Sequence, residues 1–254
     1  MIKHILAQRL ALVHLVANIL EIGLRIYLVI SKLIHKPKYS EFGLVTSHYL
    51  NTDPEIMSAI DAAKKSTGNN LYPLWKAVIY LYFVRHTEKI PGDYVELGVG
   101  KGFNTCATLH YQSGTNNRRY LLFDKFDPGV VDQDTGLILE GKFNSEYSLN
   151  LEEVKNNLSK YSAHIVFCKG HLPQSIDLNL INNISFLHID LNAALPETAS
   201  LKLLWQIISP GGIIILDDYA QEGRKNQFDA MNKLSKELNF SILSLPTGQG
   251  LIIK

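Results

Sequence analysis

The sequence predicts an α/β fold with a doubly wound, mainly parallel sheet, preceded by a helical extension. Two observations predict this class. Short apolar strands alternate with helical segments from residue 94 onward, which is typical of parallel sheets covered by helices. Four apolar residues in a row, Ile213–Leu216, follow a Pro-Gly-Gly sequence and indicate a strand buried on both faces. That strand ends in two aspartates, at the sheet edge where open α/β sheets bind their ligands.

The elements are predicted in order from apolar periodicity and turn residues. A helix is predicted to start at 52–55, where proline and acids mark a first turn, and another covers 74–85. The predicted strands are 94–97, 121–123, 164–168, 184–189 and 213–216, with a closing pair at 241–245 and 251–253. The predicted helices between them are 104–111, 151–161, 199–208 and 225–238. Residues 126–150 show little periodicity and are predicted to be a substrate loop or lid.

Composition excludes two classes of protein. With 46% hydrophobic and 19% charged residues, the chain is expected to be globular rather than disordered. A net charge of +1 gives no overall field that would mark a nucleic-acid binder. The two cysteines, Cys106 and Cys168, lack metal-ligand spacing and are expected to be buried, reduced thiols of a cytoplasmic protein.

Residues 1–40 are predicted to form an amphipathic helix outside the main domain, 41–254. This segment has a net charge of +5, whereas the rest of the chain has −4. Its uncharged stretch, Leu10–Leu20, is too short for a membrane span, which needs ~20 apolar residues, and no signal-peptide cleavage site follows it. Two alternatives remain open. The helix packs on its own domain or in a homo-oligomer interface, or residues 1–35 contact the inner face of a membrane as a peripheral anchor.

A glycine-rich loop and one aspartate indicate the cofactor. Glu96, Gly98, Gly100 and Gly102 follow the first predicted strand with G-x-G-x-G spacing, not the G-x-G-x-x-G that binds a pyrophosphate. Asp124 ends the second predicted strand, where a carboxylate suits the hydroxyls of a ribose. Together they favour an adenosine ligand that has a cationic group and no diphosphate, which is S-adenosylmethionine.

Three further carboxylates indicate a cation. Asp190 follows the fourth predicted strand, and Asp217 and Asp218 follow the fifth, so the three oxygen donors are expected to converge. Carboxylate oxygens favour a hard divalent ion, and three ligands leave positions for water and substrate. The alternative is an aspartate cluster that caps helices or binds backbone amides.

These residues together resemble class I S-adenosylmethionine-dependent methyltransferases, and more narrowly the macrocin O-methyltransferase family. The glycine loop, Asp124, His188-Ile189-Asp190 and Pro210–Tyr219 carry the resemblance, which covers residue 45 to the carboxyl terminus. It implies a seven-stranded sheet and transfer of a methyl group from S-adenosylmethionine to a hydroxyl of a sugar or glycan-type small molecule. It also implies a divalent metal, Mg²⁺, on Asp190, Asp217 and Asp218.

The resemblance also assigns the remaining site residues. The cofactor residues it implies are Glu96, Gly98, Gly100, Gly102 and Asp124, and Asp190 is assigned to catalysis as well as to the metal.

Two departures from the family pattern leave the proton acceptor open. Asn192 stands where the family often has an acid, and Gly170 is followed by His171 rather than by the usual aromatic and acid. His171 is therefore a candidate base, or else lines the adenine pocket. Two other functions stay open: a nicotinamide oxidoreductase, which the missing G-x-G-x-x-G disfavours, and an inactive methyltransferase-like module tethered by its first helix.

Overall fold

The computed structural model describes residues 53–112, 118–127, 129–131, 138–143, 150–161 and 164–254. All of them belong to one compact unit that begins at residue 51. The predicted helix over 1–40 and its domain boundary lie outside the described residues, so the packing and membrane-anchor alternatives stay predictions. No helix in the described ranges is long and apolar enough to cross a membrane.

The helices form where the sequence supplies caps and an apolar face. Asp53 caps the first helix, because its carboxylate accepts the N–H groups of Glu55 and Ile56, and Gly68 ends that helix with φ +69°. The α-helices are α1 Pro54–Thr67, α2 Leu74–His86, α3 Phe103–Tyr111, α4 Leu151–Leu158, α5 Ala194–Leu204 and α6 Lys225–Leu238. Single 3₁₀ turns follow α2, α4 and α5, and another covers Leu178–Leu180.

The main sheet has seven strands, as the resemblance implied. Its members are β1 Asp93–Leu97, β2 Tyr120–Asp124, β5 Ile165–Lys169, β6 Ile184–Ile189, β7 Ile208–Leu216, β8 Leu243–Ser244 and β9 Gly250–Ile253. The spatial order is β5-β2-β1-β6-β7-β9-β8, in which the first five strands are parallel and β9 is antiparallel to β7. A separate antiparallel pair consists of β3 Gly129–Val131 and β4 Ile138–Phe143. The predicted α/β, mainly parallel fold is confirmed.

Helices cover both faces of the sheet, so its central strands are buried on both sides. In β6, Phe186 packs toward the layer of α1, α2 and α3, and Leu187 packs toward the layer of α5 and α6. Both side chains are fully buried. His188 follows on the same face as Phe186, because side chains alternate along a strand. This alternation places a histidine between the sheet and α2, below the edge where the acids lie.

The structure differs from the prediction in three segments. The Pro-Gly-Gly sequence at 210–212 lies within β7 as a bulge, where the pairing shifts between Ile184 and Phe186. Helix α5 begins at Ala194 rather than 199, because Pro196 fits the first turn of a helix. The segment 126–150 contains the β3–β4 pair instead of being only a loop.

Candidate functional site

The three predicted acids meet at the carboxyl ends of β6 and β7. The N–H of Asp190 bonds to Leu97 O at 2.8 Å, and the N–H of Asp217 bonds to Ile189 O at 2.9 Å, so the parallel ladder fixes both positions. One carboxylate oxygen each from Asp190, Asp217 and Asp218 lie within 4.8 Å of one another. The expected convergence is therefore present, while the metal role of the three acids stays a prediction.

A buried lysine contacts this acidic cluster. Lys76, on α2, is 8% exposed, and its Nζ lies 2.7 Å from Asp217 Oδ2 and 3.0 Å from Asp218 Oδ1. Burial disfavours the ammonium, but Asp217 and Asp218 outweigh it and raise the pKa of Lys76 above its ordinary value. Lys76 was not among the predicted site residues. The only indication in the sequence is a single charged residue among the apolar residues of the first turns of α2.

A buried histidine joins the two sides of the site. His188 is fully buried, with Nδ1 3.5 Å from Glu96 Oε1 and Nε2 3.5 Å from Asp217 Oδ1. Burial opposes its charged form, but the two carboxylates prevail and raise the pKa of His188 to about 10. Asp217 is likewise opposed by burial, yet His188 and Lys76 lower the pKa of Asp217 to about 2. Acidic and basic side chains thus alternate across the site in the order Glu96, His188, Asp217 and Lys76, each within 3.5 Å of the next.

Asp190 is in a different electrostatic environment. Burial, followed by the neighbouring charges of Asp217 and Asp218, raises the pKa of Asp190 well above its ordinary value. Asn192 donates from Nδ2 to Asp190 Oδ1 at 2.9 Å and accepts a hydrogen bond from Arg224. An acid at position 192 has no amide hydrogen to donate to Asp190. The amide of Asn192 therefore links the side chains of Asp190 and Arg224 and holds Asp190 in position.

The glycine loop is held in place by Asp124. Its Oδ2 accepts the N–H groups of Val99 at 2.8 Å and Gly100 at 3.2 Å, and its Oδ1 accepts that of Phe126 at 2.8 Å. Asp124 is 7% exposed at the carboxyl end of β2. This carboxylate therefore holds the loop in its conformation, while its contact with a ribose stays a prediction.

The three glycines serve different purposes. A Cβ on Gly98 would lie 1.9 Å from the carbonyl oxygen of Asp190, so this glycine permits the close approach of two strand ends. Gly100 has φ +54° and no atom within 4 Å of the corresponding position, so its backbone borders open space. Gly102 directly precedes α3 as its N-cap residue, with φ +82°. Of the three, Gly100 has the surroundings expected for contact with a cofactor.

Glu96 and Tyr72 flank the space between the glycine loop and the acids. Glu96 is 1% exposed, and its Oε2 accepts the hydroxyl hydrogen of Thr105. Tyr72 stacks on Phe103 with ring centroids 4.1 Å apart. Its hydroxyl is buried and has no hydrogen-bond partner among the described residues. Burial and the charge of Asp217 raise the pKa of Tyr72 well above its ordinary value, so this phenol is a hydrogen-bond donor. Tyr72 was not among the predicted site residues.

His171 lies apart from the acidic cluster. It follows β5, which β2 and β1 separate from β6, and strands are spaced by about 4.8 Å, so the distance is on the order of 14 Å. Its side chain is exposed. The proposed role of His171 as the proton acceptor stays a prediction that this topology does not favour.

Glu197, on α5, gives a testable dependence of stability on pH. Burial raises the pKa of Glu197 to about 7, and its Oε1 accepts from the N–H of Leu191 and from Gln227. Because the folded state holds this proton more tightly than the unfolded state, its contribution to stability falls as the pH rises from about 4.5 to 7. Glu197→Gln removes this titration. The free energy of unfolding of the variant should exceed that of the unmodified protein by roughly 1–3 kcal/mol at pH 8 and equal it at pH 4.

Urea unfolding at the two pH values measures this difference. Glu222→Gln, at an exposed position, is the control and should behave alike at both pH values. Equal stability of Glu197→Gln and the unmodified protein at pH 8 would show that Glu197 is not held protonated.

Comparison with known proteins identifies the family. The family model described as Macrocin-O-methyltransferase (TylF) matches residues 82–243, more than half of the chain. The chain belongs to the macrocin O-methyltransferase family. The matched residues include the glycine loop, Asp124 and the acidic cluster, whereas Lys76 and Tyr72 precede them. This membership replaces the alternative of a nicotinamide oxidoreductase.

A characterised relative and two solved structures agree with the family. The 8-demethyl-8-(2,3-dimethoxy-alpha-L-rhamnosyl)-tetracenomycin-C 4'-O-methyltransferase of Streptomyces olivaceus is 28% identical over 147 residues, which are 52% of this chain. The match spans only 55% of that relative's length. The O-methyltransferase NovP is similar in fold, with a TM-score of 0.61 and 17% sequence identity. The match covers 81% of this chain and 98% of NovP. The calicheamicin methyltransferase CalS11 has a TM-score of 0.57 and 16% identity, over 84% of this chain and 99% of CalS11.

Proposed function

We propose that the protein transfers a methyl group from S-adenosylmethionine to a hydroxyl of a sugar or glycan-type acceptor, with a divalent metal at Asp190, Asp217 and Asp218. The observation that supports this best is the convergence of three carboxylate oxygens within 4.8 Å, beside a glycine loop held by Asp124. Family membership supports the reaction class.

The cofactor would bind along the carboxyl ends of β1 and β2. Asp124 would accept hydrogen bonds from the ribose hydroxyls while it holds the loop, and the open backbone at Gly100 would allow close approach. Glu96 already contacts Thr105 and His188, so it would act on the cationic methionine end chiefly through its charge. The Tyr72 hydroxyl is a free donor for the cofactor or the acceptor.

The donor set fits a hard divalent ion. All three ligand atoms are carboxylate oxygens, the type that Mg²⁺ and Mn²⁺ prefer, and they lie within 4.8 Å of one another. When bound, such an ion supplies Lewis-acid polarisation of an acceptor hydroxyl and lowers its pKa. The chain itself contributes the orientation of the acids. Asn192 fixes Asp190, and His188 fixes Asp217 from below.

The chemical step forms an O–CH₃ bond and breaks the S–CH₃ bond of the sulfonium, which leaves S-adenosylhomocysteine. The hydroxyl proton must leave the acceptor, and Asn192 cannot take it. We infer that it passes to solvent water, since His171 is far from the acidic cluster. The catalytic contribution is then chiefly the alignment of two reactants about 3 Å apart.

The Streptomyces olivaceus relative supports the proposed acceptor class. It is named as an O-methyltransferase of a rhamnosyl tetracenomycin, and we carry over only the chemical class, a sugar hydroxyl. A vicinal hydroxyl pair would suit a site in which a metal leaves open positions for substrate oxygens.

Calorimetric titration tests the proposal. S-Adenosylmethionine and S-adenosylhomocysteine should bind with micromolar affinity, and methyl transfer to rhamnosyl acceptors should require Mg²⁺ or Mn²⁺ and stop with chelator. Cofactor binding and transfer that is insensitive to chelator would remove the metal from the proposal. Absence of cofactor binding under every metal condition would favour the inactive, tethered module instead.

A further inference from the structure

Four oxygen atoms surround the ammonium of Lys76. Nζ lies 2.7 Å from Asp217 Oδ2, 2.9 Å from Asp217 O, 3.0 Å from Asp218 Oδ1 and 3.4 Å from Gln221 Oε1. The side chain is 10% exposed, although it belongs to a residue type that is almost never buried unless paired. The fold therefore builds a cation site at the acidic cluster and fills it with its own lysine.

The oxygens that hold this ammonium belong to two of the three acids proposed for the metal. Their other oxygens are also engaged. Asp217 Oδ1 lies 3.2 Å from Gln249 Nε2 and 3.5 Å from His188 Nε2, and Asp218 Oδ2 lies 3.4 Å from Arg224. A divalent ion can reach the best-placed oxygens only if the ammonium moves away from them.

We propose that Lys76 is a tethered cation that competes with the divalent metal for Asp217 and Asp218 and so sets the metal affinity of the site. It holds the two carboxylates together before the metal arrives, and it withdraws when the metal binds. This inference rests on the metal site of the proposed function, which it extends by naming the residue that opposes metal binding.

The physical basis is charge balance. Lys76 and Arg224 already lie against the carboxylates of Asp217 and Asp218, so a divalent ion added to the unchanged cluster would lie beside an ammonium that is 2.7 Å from Asp217 Oδ2. At the distances of this cluster the repulsion between the two cations is strong even at an effective dielectric constant of about 20. Because Lys76 is tethered on α2, its effective concentration at the acids is high, so a higher metal concentration is needed to displace the ammonium.

Titration with Mn²⁺ alone, followed by calorimetry, tests the competition without an acceptor or turnover. Lys76→Met should bind Mn²⁺ at least about tenfold more tightly than the unmodified protein, because the competing charge is removed. Lys76→Arg retains the charge and should not gain affinity. Lys89→Met is the matched control, since Lys89 is an exposed lysine just beyond the same helix, and its affinity should be unchanged.

Thermal unfolding keeps the test informative if Lys76→Met folds poorly. Lys76→Gln retains a polar side chain, and in chelator its melting temperature should be lower than that of the unmodified protein, because buried carboxylates lose their counter-ion. Saturating Mn²⁺ should raise the melting temperature of Lys76→Gln by more than it raises that of the unmodified protein.

The outcomes separate this inference from the proposed function. If the unmodified protein and Lys76→Met bind Mn²⁺ equally, competition is wrong and the metal site stands. If only Lys76→Met binds, competition is supported, and the metal is removed from the proposed function, because Lys76 itself fills the cation position. If neither binds Mn²⁺, both the metal site and the competition are wrong.

Discussion

Replacing Asp217 with asparagine is expected to lower the rate of methyl transfer at least about 100-fold, because this side chain organises the whole cluster. Its carboxylate contacts Lys76 at 2.7 Å, Gln249 at 3.2 Å and His188 at 3.5 Å, and it is a proposed metal ligand. Asparagine has nearly the same shape but no charge, so two buried cations lose their shared partner.

Initial rates at saturating cofactor and Mg²⁺ measure this effect. Cofactor affinity should change much less than the rate, since Asp217 lies at the end of β7 rather than at the glycine loop. Asp229→Asn, at an exposed position on α6, is the control and should keep full activity. Unchanged turnover of the Asp217 variant in the presence of metal would place the reaction elsewhere.

Asp124→Ala is expected to weaken the binding of S-adenosylmethionine by at least about 100-fold. The change removes three hydrogen bonds to the backbone N–H groups of Val99, Gly100 and Phe126, and also the proposed contact with the ribose. Hydrogen bonds to a charged group contribute roughly 1.5–3 kcal/mol each, so the loop should lose its shape as well as its ligand contact.

Calorimetry on matched variants separates the two effects. Asp124→Asn keeps an acceptor oxygen for part of the loop and should show an intermediate affinity. Asp61→Asn, exposed on α1, is the control and should bind the cofactor normally. Full affinity of Asp124→Ala would contradict a cofactor site at the end of β2.

The sequence predicted most of the sheet because its signals are local. Apolar runs such as Ile184–Ile189 mark buried strands, and the order of strands and helices leaves few topologies for a parallel sheet. The errors occurred where local signals conflict. A Pro-Gly-Gly sequence is ordinarily a turn, but the pairing of β7 with β6 and β9 retains it as a bulge. A helix was predicted over 199–208, but it begins at Ala194 and includes Pro196 in its first turn.

In the candidate site, too, local signals predicted some features and not others. The acids at 190, 217 and 218 were expected to meet because the carboxyl ends of adjacent parallel strands share one edge of a sheet. Asn192 was noted only as a departure from the family, whereas the structure shows it as a bridge between Asp190 and Arg224. The location of a side chain at the sheet edge was predictable from its position along a strand, but the residues that it contacts were not.

The sequence by itself determined the sheet, the glycine loop and the three acids at one edge, because each depends on residues that are close together in the chain or on strand order. Only the tertiary structure decided what balances those acids. Lys76 is 141 residues from Asp217, and it reaches the cluster only because α2 packs against the sheet with this one charged side chain directed to its edge. The tertiary structure also places His188 between Glu96 and Asp217, whose carboxylates raise its pKa to about 10 against the opposing effect of burial.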